Sequence, residues 1–115
     1  MPAPVTGNNS DCDLVFGADD KLHLYYREFD NSDVVVKHAE STDGITWTTP
    51  TTILSGTGAF AMSFSVHMEG DTYVAYYIEN SNDRTLKRLE NSSAATGWST
   101  AGAVTCTINN IPRGS

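Results

Sequence analysis

The chain repeats itself. Lys21-Leu-His-Leu-Tyr-Tyr-Arg-Glu28 returns as Thr72-Tyr-Val-Ala-Tyr-Tyr-Ile-Glu79, so that the Tyr25–Tyr26 pair recurs as Tyr76–Tyr77 at a spacing of 51 residues. At the same spacing Trp47 becomes Trp98 and Ile53 becomes Val104. A chain of 115 residues that repeats at this period is two copies of one supersecondary unit. Such a unit cannot bury its own faces, so it must stack on its neighbour. The repeated residues are Tyr, Val, Ile, Thr and Trp, which favour pleated structure.

Punctuation divides each copy into four short strands. The first copy predicts strands near 12–17, 21–29, 33–41 and 45–54, turning at Ala18–Asp20, Asp30–Asp33 and Thr42–Gly44. The second predicts 60–69, 71–79, 84–91 and 97–106, turning at Glu69–Asp71 and Asn80–Asp83, with Ser55–Gly58 as the link. Asn, Asp and Gly tolerate the backbone that tight hairpins demand. No segment carries a sustained apolar pattern of helical period. If Asn31–Ser32 form a two-residue turn, Tyr25 lies opposite His38 and His23 opposite Glu40, while Leu24 and Tyr26 share the other face with Ala39 and Lys37. Four short strands repeated at this period are the signature of β-propeller blades. The expected fold is therefore all-β, with residues 1–10 a tail, 11–57 one blade, 58–107 a second, and 108–115 a vector-like tail. Two blades cannot close a ring. Closure by homo-oligomerisation follows, most simply as a trimer of six blades.

Composition narrows the partners. Seven Lys and Arg against fourteen Asp and Glu give a net charge of −7, with no basic cluster to grip a nucleic acid. No apolar run reaches the roughly 18 residues of a membrane span. Met1–Thr6 lacks the basic and apolar segments of a secretory leader. A secreted or cell-surface setting with the leader removed is expected over a cytoplasmic one. Cys12 and Cys106 fall near opposite ends, at phases of the repeat that bracket the link between blades. In a ring of identical chains they would approach across the junction, which suggests an interchain disulfide. Two unpaired thiols are the alternative reading.

Ser41-Thr-Asp-Gly-Ile-Thr-Trp47 resembles the Asp box of sialidase-type propellers, shortened by one residue, and the corresponding turn of five-bladed glycosidase propellers. That resemblance gives Ser41, Asp43 and Gly44 a structural role: the carboxylate accepts turn amides and Gly supplies positive φ. The second copy keeps Gly97–Trp98 without the Asp. Sialidase-like catalysis needs an arginine triad and a Tyr–Glu pair, and the arginines are Arg27, Arg84, Arg88 and Arg113. Asp11, Asp13, Asp20 and Glu69 are candidate acids for a glycosidase reading, but identical chains would repeat them in identical surroundings, whereas glycoside hydrolysis needs two unlike carboxylates. His23, His38 and His67 lack metal-ligand spacing. No catalytic residue, metal or cofactor is therefore assigned.

The layout of Tyr-Tyr strand followed by Trp also resembles the small fucose-binding lectins whose two-blade chains trimerise. The family's sugar-binding Arg falls on His23 and Val74 here, and its Glu on Glu90 and beside Glu40. What this likeness implies is lectin-like, non-enzymatic binding of glycans at blade junctions, with Tyr25, Tyr26, Tyr76, Tyr77, Trp47, Trp98, Glu40, Glu90, Arg27 and Arg88 as candidate contacts. Aromatic rings stack on sugar C–H faces while charged groups take the hydroxyls. A fragment of a larger glycosidase-type propeller, inactive alone, and a protein-interaction propeller are the alternatives.

Overall fold

A computed structural model describes residues 8–30, 33–57, 61–79 and 85–107. The expected turns at 31–32 and 80–83, the end of the Ser55–Gly58 link, and most of both tails lie outside the described residues. Among the described residues, eight strands form two four-stranded antiparallel sheets, each a simple meander. The first sheet contains β1 (Asn8–Phe16), β2 (Leu22–Asp30), β3 (Asp33–Ser41) and β4 (Thr51–Thr57). The second contains β5 (Met62–Glu69), β6 (Thr72–Ile78), β7 (Leu86–Asn91) and β8 (Val104–Thr105). One turn of 3-10 helix, Thr100–Gly102, is capped by the Ser99 side chain, which accepts from the Ala101 amide.

The register of β2 on β3 is the one an Asn31–Ser32 turn implies. Tyr25 pairs with His38, His23 with Glu40, Leu24 with Ala39 and Tyr26 with Lys37. These are the pairs expected from the sequence. A slip of one residue would exchange Tyr25 and Val36 for residues of the other face. The last strand of each sheet departs from expectation. Strand 45–54 is replaced by β4 at Thr51–Thr57, and strand 97–106 shrinks to Val104–Thr105. The cause is the chain ahead of each. Residues 42–50 are consumed by a wide turn that holds Trp47 outside the sheet, and the second sheet spends 100–102 on its 3-10 turn. The first strand starts earlier than expected, at Asn8, inside the segment taken as tail.

The core lies between the sheets. Tyr25, Val36 and Leu54 from the first meet Phe64, Val66, Tyr73, Ala75, Tyr77, Leu89 and Trp98 from the second. Tyr25 sits edge-on to Trp98 with ring centroids 6.3 Å apart, and tilted 6.2 Å from Phe64. Polar bonds pin the contact at its ends. Asp13 accepts from the Val66 amide at 2.7 Å, and the Tyr73 hydroxyl accepts from the Ala18 amide at 3.2 Å. Both the Tyr25 hydroxyl and the Trp98 indole donate to the Ala94 carbonyl at 2.8 Å.

The two sheets stack through unlike faces. His23, Tyr25 and His38 of the first sheet face the second. Tyr76, the repeat counterpart of Tyr25, pairs with Arg88 on the face of the second sheet turned away from the first. Conversely Tyr77 is buried against the first sheet, and its counterpart Tyr26 lies on that sheet's outward face. Outward with Tyr26 stand Leu14 and Phe16, which are 55% and 59% exposed. Register places them where the second sheet has Val66 and Met68, both packed into the core.

Candidate functional site

The links β1–β2, β3–β4, β5–β6 and β7–β8 gather at one end of the stacked sheets, where two shallow grooves open. The first, of about 270 Å³, is lined by Lys21, Glu40, Thr42, Thr46, Trp47 and Thr48. The second, of about 420 Å³, is lined by Ala18, Asp19, Asp71, Tyr73, Ser92 and Ser93. These volumes suit a single small polar ligand at most.

The first groove is shaped by the turn after β3. Ser41 Oγ accepts from the amides of Asp43 (3.2 Å) and Gly44 (2.8 Å) and donates to Asp43 Oδ1. That same oxygen accepts from the Ile45 and Thr46 amides at 2.8 and 2.9 Å. The Thr46 and Ile45 amides, with Ser41, hold the Asp43 carboxyl below the ordinary carboxylate range. Gly44 has φ +78°, a conformation that strains any side chain. In the second sheet Ser93 occupies the matching place. Its hydroxyl accepts from Ala95 and Thr96 amides at 3.4 and 3.3 Å, and Gly97 takes φ +89°. The spare hydrogen-bonding work falls to Asn91, which donates to the Ser93 and Thr96 carbonyls at 2.7 Å.

Between the grooves lies a buried polar cluster. His23 and His38 are almost wholly enclosed, with His23 Nδ1 2.8 Å from His38 Nε2. Asp19 holds His23 Nε2 at 2.9 and 3.1 Å. Burial disfavours the Asp19 carboxylate, but the His23 bond and the Lys21 amide outweigh it and keep its carboxyl below the usual range. Glu40 reaches toward both rings, its Oε1 3.9 Å from His23 Nδ1 and 4.0 Å from His38 Nε2, while Oε2 takes the Lys21 ammonium at 3.0 Å. Burial first, then the neighbouring His23, push His38 down to about 4. The ring of Tyr73 stands edge-on to His23 at 5.8 Å.

The outward face of the second sheet carries the other polar group. Arg88 forks onto Glu69 at 2.7 and 3.0 Å, donates to Tyr76 Oη at 2.7 Å, and touches Glu90 at 3.4 Å. His67 stacks on Tyr76 with centroids 5.6 Å apart and planes 3° from parallel. Arg88 and His67 hold the Glu69 carboxyl down to about 2.

The candidate contacts from the sequence thus divide by burial. Tyr25, Tyr26 and Tyr77 are 1% exposed or less, and Arg27 and Trp98 are buried, so in the single chain their role is packing. Tyr76, Arg88 and Glu90 come together on one open face, and Trp47 and Glu40 share the first groove. Among the acids, Asp13 is committed to the Val66 amide and Glu69 to Arg88. Cys12 and Cys106 are both free thiols. His23 and His38 were not paired by their spacing. The cross-strand register held the signal, because His38 lies diagonal to the opposed His23 and Glu40 on one face. No family model, characterised protein or solved structure matches this chain.

Proposed function

We propose that the chain is a two-blade unit that closes with further copies of itself into a β-propeller, most simply a trimer, and that the ring binds carbohydrate without catalysis. The observation that carries the assembly is the stacking of repeat-related sheets through unlike faces. The buried contact joins a mixed face (Asp13, His23 and His38 with Tyr25, Val36 and Leu54) to an apolar one (Phe64, Val66, Tyr77). The outward faces remain open at the ends: Tyr76, Arg88, Glu90 and His67 on one, Leu14 and Phe16 on the other. Face and counterpart are complementary, so a second copy continues the stack. The open apolar pair Leu14 and Phe16 is what such a neighbour would cover. An interchain bond between Cys12 and Cys106 would lock that junction.

The sugar reading draws on the first groove, where half-buried Trp47 offers an aromatic wall beside Glu40, Lys21 and three threonines. An aromatic face flanked by hydroxyl-seeking groups suits a pyranose. Each such site is weak, and a ring presents several in one plane, which raises avidity. The Ser41–Asp43–Gly44 turn serves as the Asp box that shapes the groove wall. The same open faces favour a second reading, in which further blades of a longer glycosidase-type chain cover them.

Light scattering on the eluting protein tests the assembly, with three times the mass of one chain expected. A folded monomer would refute it. A glycan array read with the intact protein, compared with Trp47→Ala, tests the ligand. Signal lost with Trp47 supports the groove, and a blank array with a stable trimer turns the reading toward a protein partner.

A further inference from the structure

We infer that His23, His38 and Glu40 form a binding site for a divalent transition-metal ion of the zinc type. The inference is independent of the sugar-binding reading. One ligand atom from each residue, His23 Nδ1, His38 Nε2 and Glu40 Oε1, lies within 4.8 Å of the other two. Two imidazoles and one carboxylate are the donor set of an open zinc site, with three protein ligands and a fourth position for water.

The geometry needs both rings to turn, because nitrogens 2.8 Å apart with ring centroids at 5.0 Å face each other head-on. The two nitrogens stand 2.8 Å apart, and tetrahedral coordination sets them about 3.3 Å apart. Glu40 Oε1 must close by roughly 0.6–0.7 Å to reach a similar separation, which its partly exposed side chain permits. A single hydrogen bond links the two rings, donated by His38 Nε2 to His23 Nδ1 in the tautomer that lets His23 Nε2 donate to Asp19. Binding replaces that bridge by the ion, and the His38 proton moves to Nδ1.

The supporting shell is already in place. Asp19 takes the far nitrogen of His23, the carboxylate–histidine–metal arrangement that orients a ring and raises its basicity. Lys21 occupies the oxygen of Glu40 that faces away, leaving Oε1 for the ion. Glu40 also lines the first groove, so the ion has a path in from that open side. Ligands on β2 and β3, braced by Tyr73 from the second sheet, would make the ion a clamp at the sheet junction.

Calorimetric titration of the intact protein with zinc chloride, and the visible spectrum with cobalt(II), test the site. One ion per chain and the d–d bands of a tetrahedral centre are expected. Glu40→Gln should weaken zinc binding by at least about tenfold, and Asp19→Asn by on the order of 10–100-fold. Both change half-exposed carboxylates and leave the core packed. Glu69→Gln, at the separate His67–Glu69 pair, should leave affinity unchanged. Absence of binding heat, or affinity unchanged by Glu40→Gln and lost with Glu69→Gln, would overturn the inference.

Discussion

Two donors converge on one carbonyl at the sheet junction, and that convergence sets a measurable coupling. The Tyr25 hydroxyl and the Trp98 indole both donate to the buried Ala94 oxygen at 2.8 Å. In Tyr25→Phe the carbonyl keeps Trp98, so the loss is one net hydrogen bond, about 1 kcal/mol, or roughly 4 °C in Tm for a domain of this size. Trp98→Phe removes the other donor and part of a buried ring, costing about 1–3 kcal/mol. With both changed, the carbonyl is left in the interior with no partner. Its desolvation is then exposed in full, adding roughly 1–3 kcal/mol beyond the sum of the singles. Phenylalanine at both positions keeps an aromatic contact across the junction, so the cycle isolates the polar effect. Urea unfolding at one fixed protein concentration measures all four species, with unchanged m-values required. Additivity within about 0.5 kcal/mol would refute the shared-acceptor argument.

Three further outcomes follow from the structure. A Cβ at Gly17 would stand 2.3 Å from Tyr73 Oη and 2.8 Å from His23 Cδ2, so Gly17→Ala should destabilise by about 1–3 kcal/mol in the same assay. The Glu69 carboxyl is depressed to about 2 from its ordinary 4.5; its favourable contribution is whole above pH 4.5 and fades as pH falls toward 2. Carbon-detected NMR should find that low midpoint, and Arg88→Gln should return it toward 4.5; an unmoved midpoint would exclude Arg88 as the cause. Asp43→Ala should lower Tm more than Ser93→Ala, because Asp43 accepts its turn amides near 2.9 Å and Ser93 near 3.3 Å. Thermal melts ranking the two in the opposite order would show that the turns are held elsewhere.

What the sequence disclosed depended on how local the deciding interaction was. The pairing of β2 with β3 was legible from the expected two-residue turn, while the alternation was uninformative because Leu24 and Tyr26 are buried on one face and Tyr25 on the other. The uniform repeat of 51 concealed a compensation. Lys37, Glu40 and Ser41 match Lys87, Glu90 and Asn91 at 50, and one extra residue in the turn before Trp98 restores 51. Ser93 doing the work of Asp43 was therefore hidden, since chemistry and spacing both differ. The outer cluster was hidden for another reason. Glu69 and Arg88 sit on β5 and β7 and meet across β6, a contact that only the full sheet order reveals. The fourth strands were misplaced because Trp47 and Trp98 read as strand residues, while the amide-binding turns before them keep the chain out of the sheet.

A pair of layers related by translation and rotation, with no mirror between them, has a head and a tail. Joining head to tail never exhausts the supply of free ends by itself; it stops only if the accumulated rotation brings the last layer back to the first. The angle set by Tyr25, Phe64 and Trp98 would then act as a counting device. If copies of the chain assemble as proposed, a substitution that opened or narrowed that wedge by a few degrees would change how many chains complete a circle, or leave an unclosed fibre in its place.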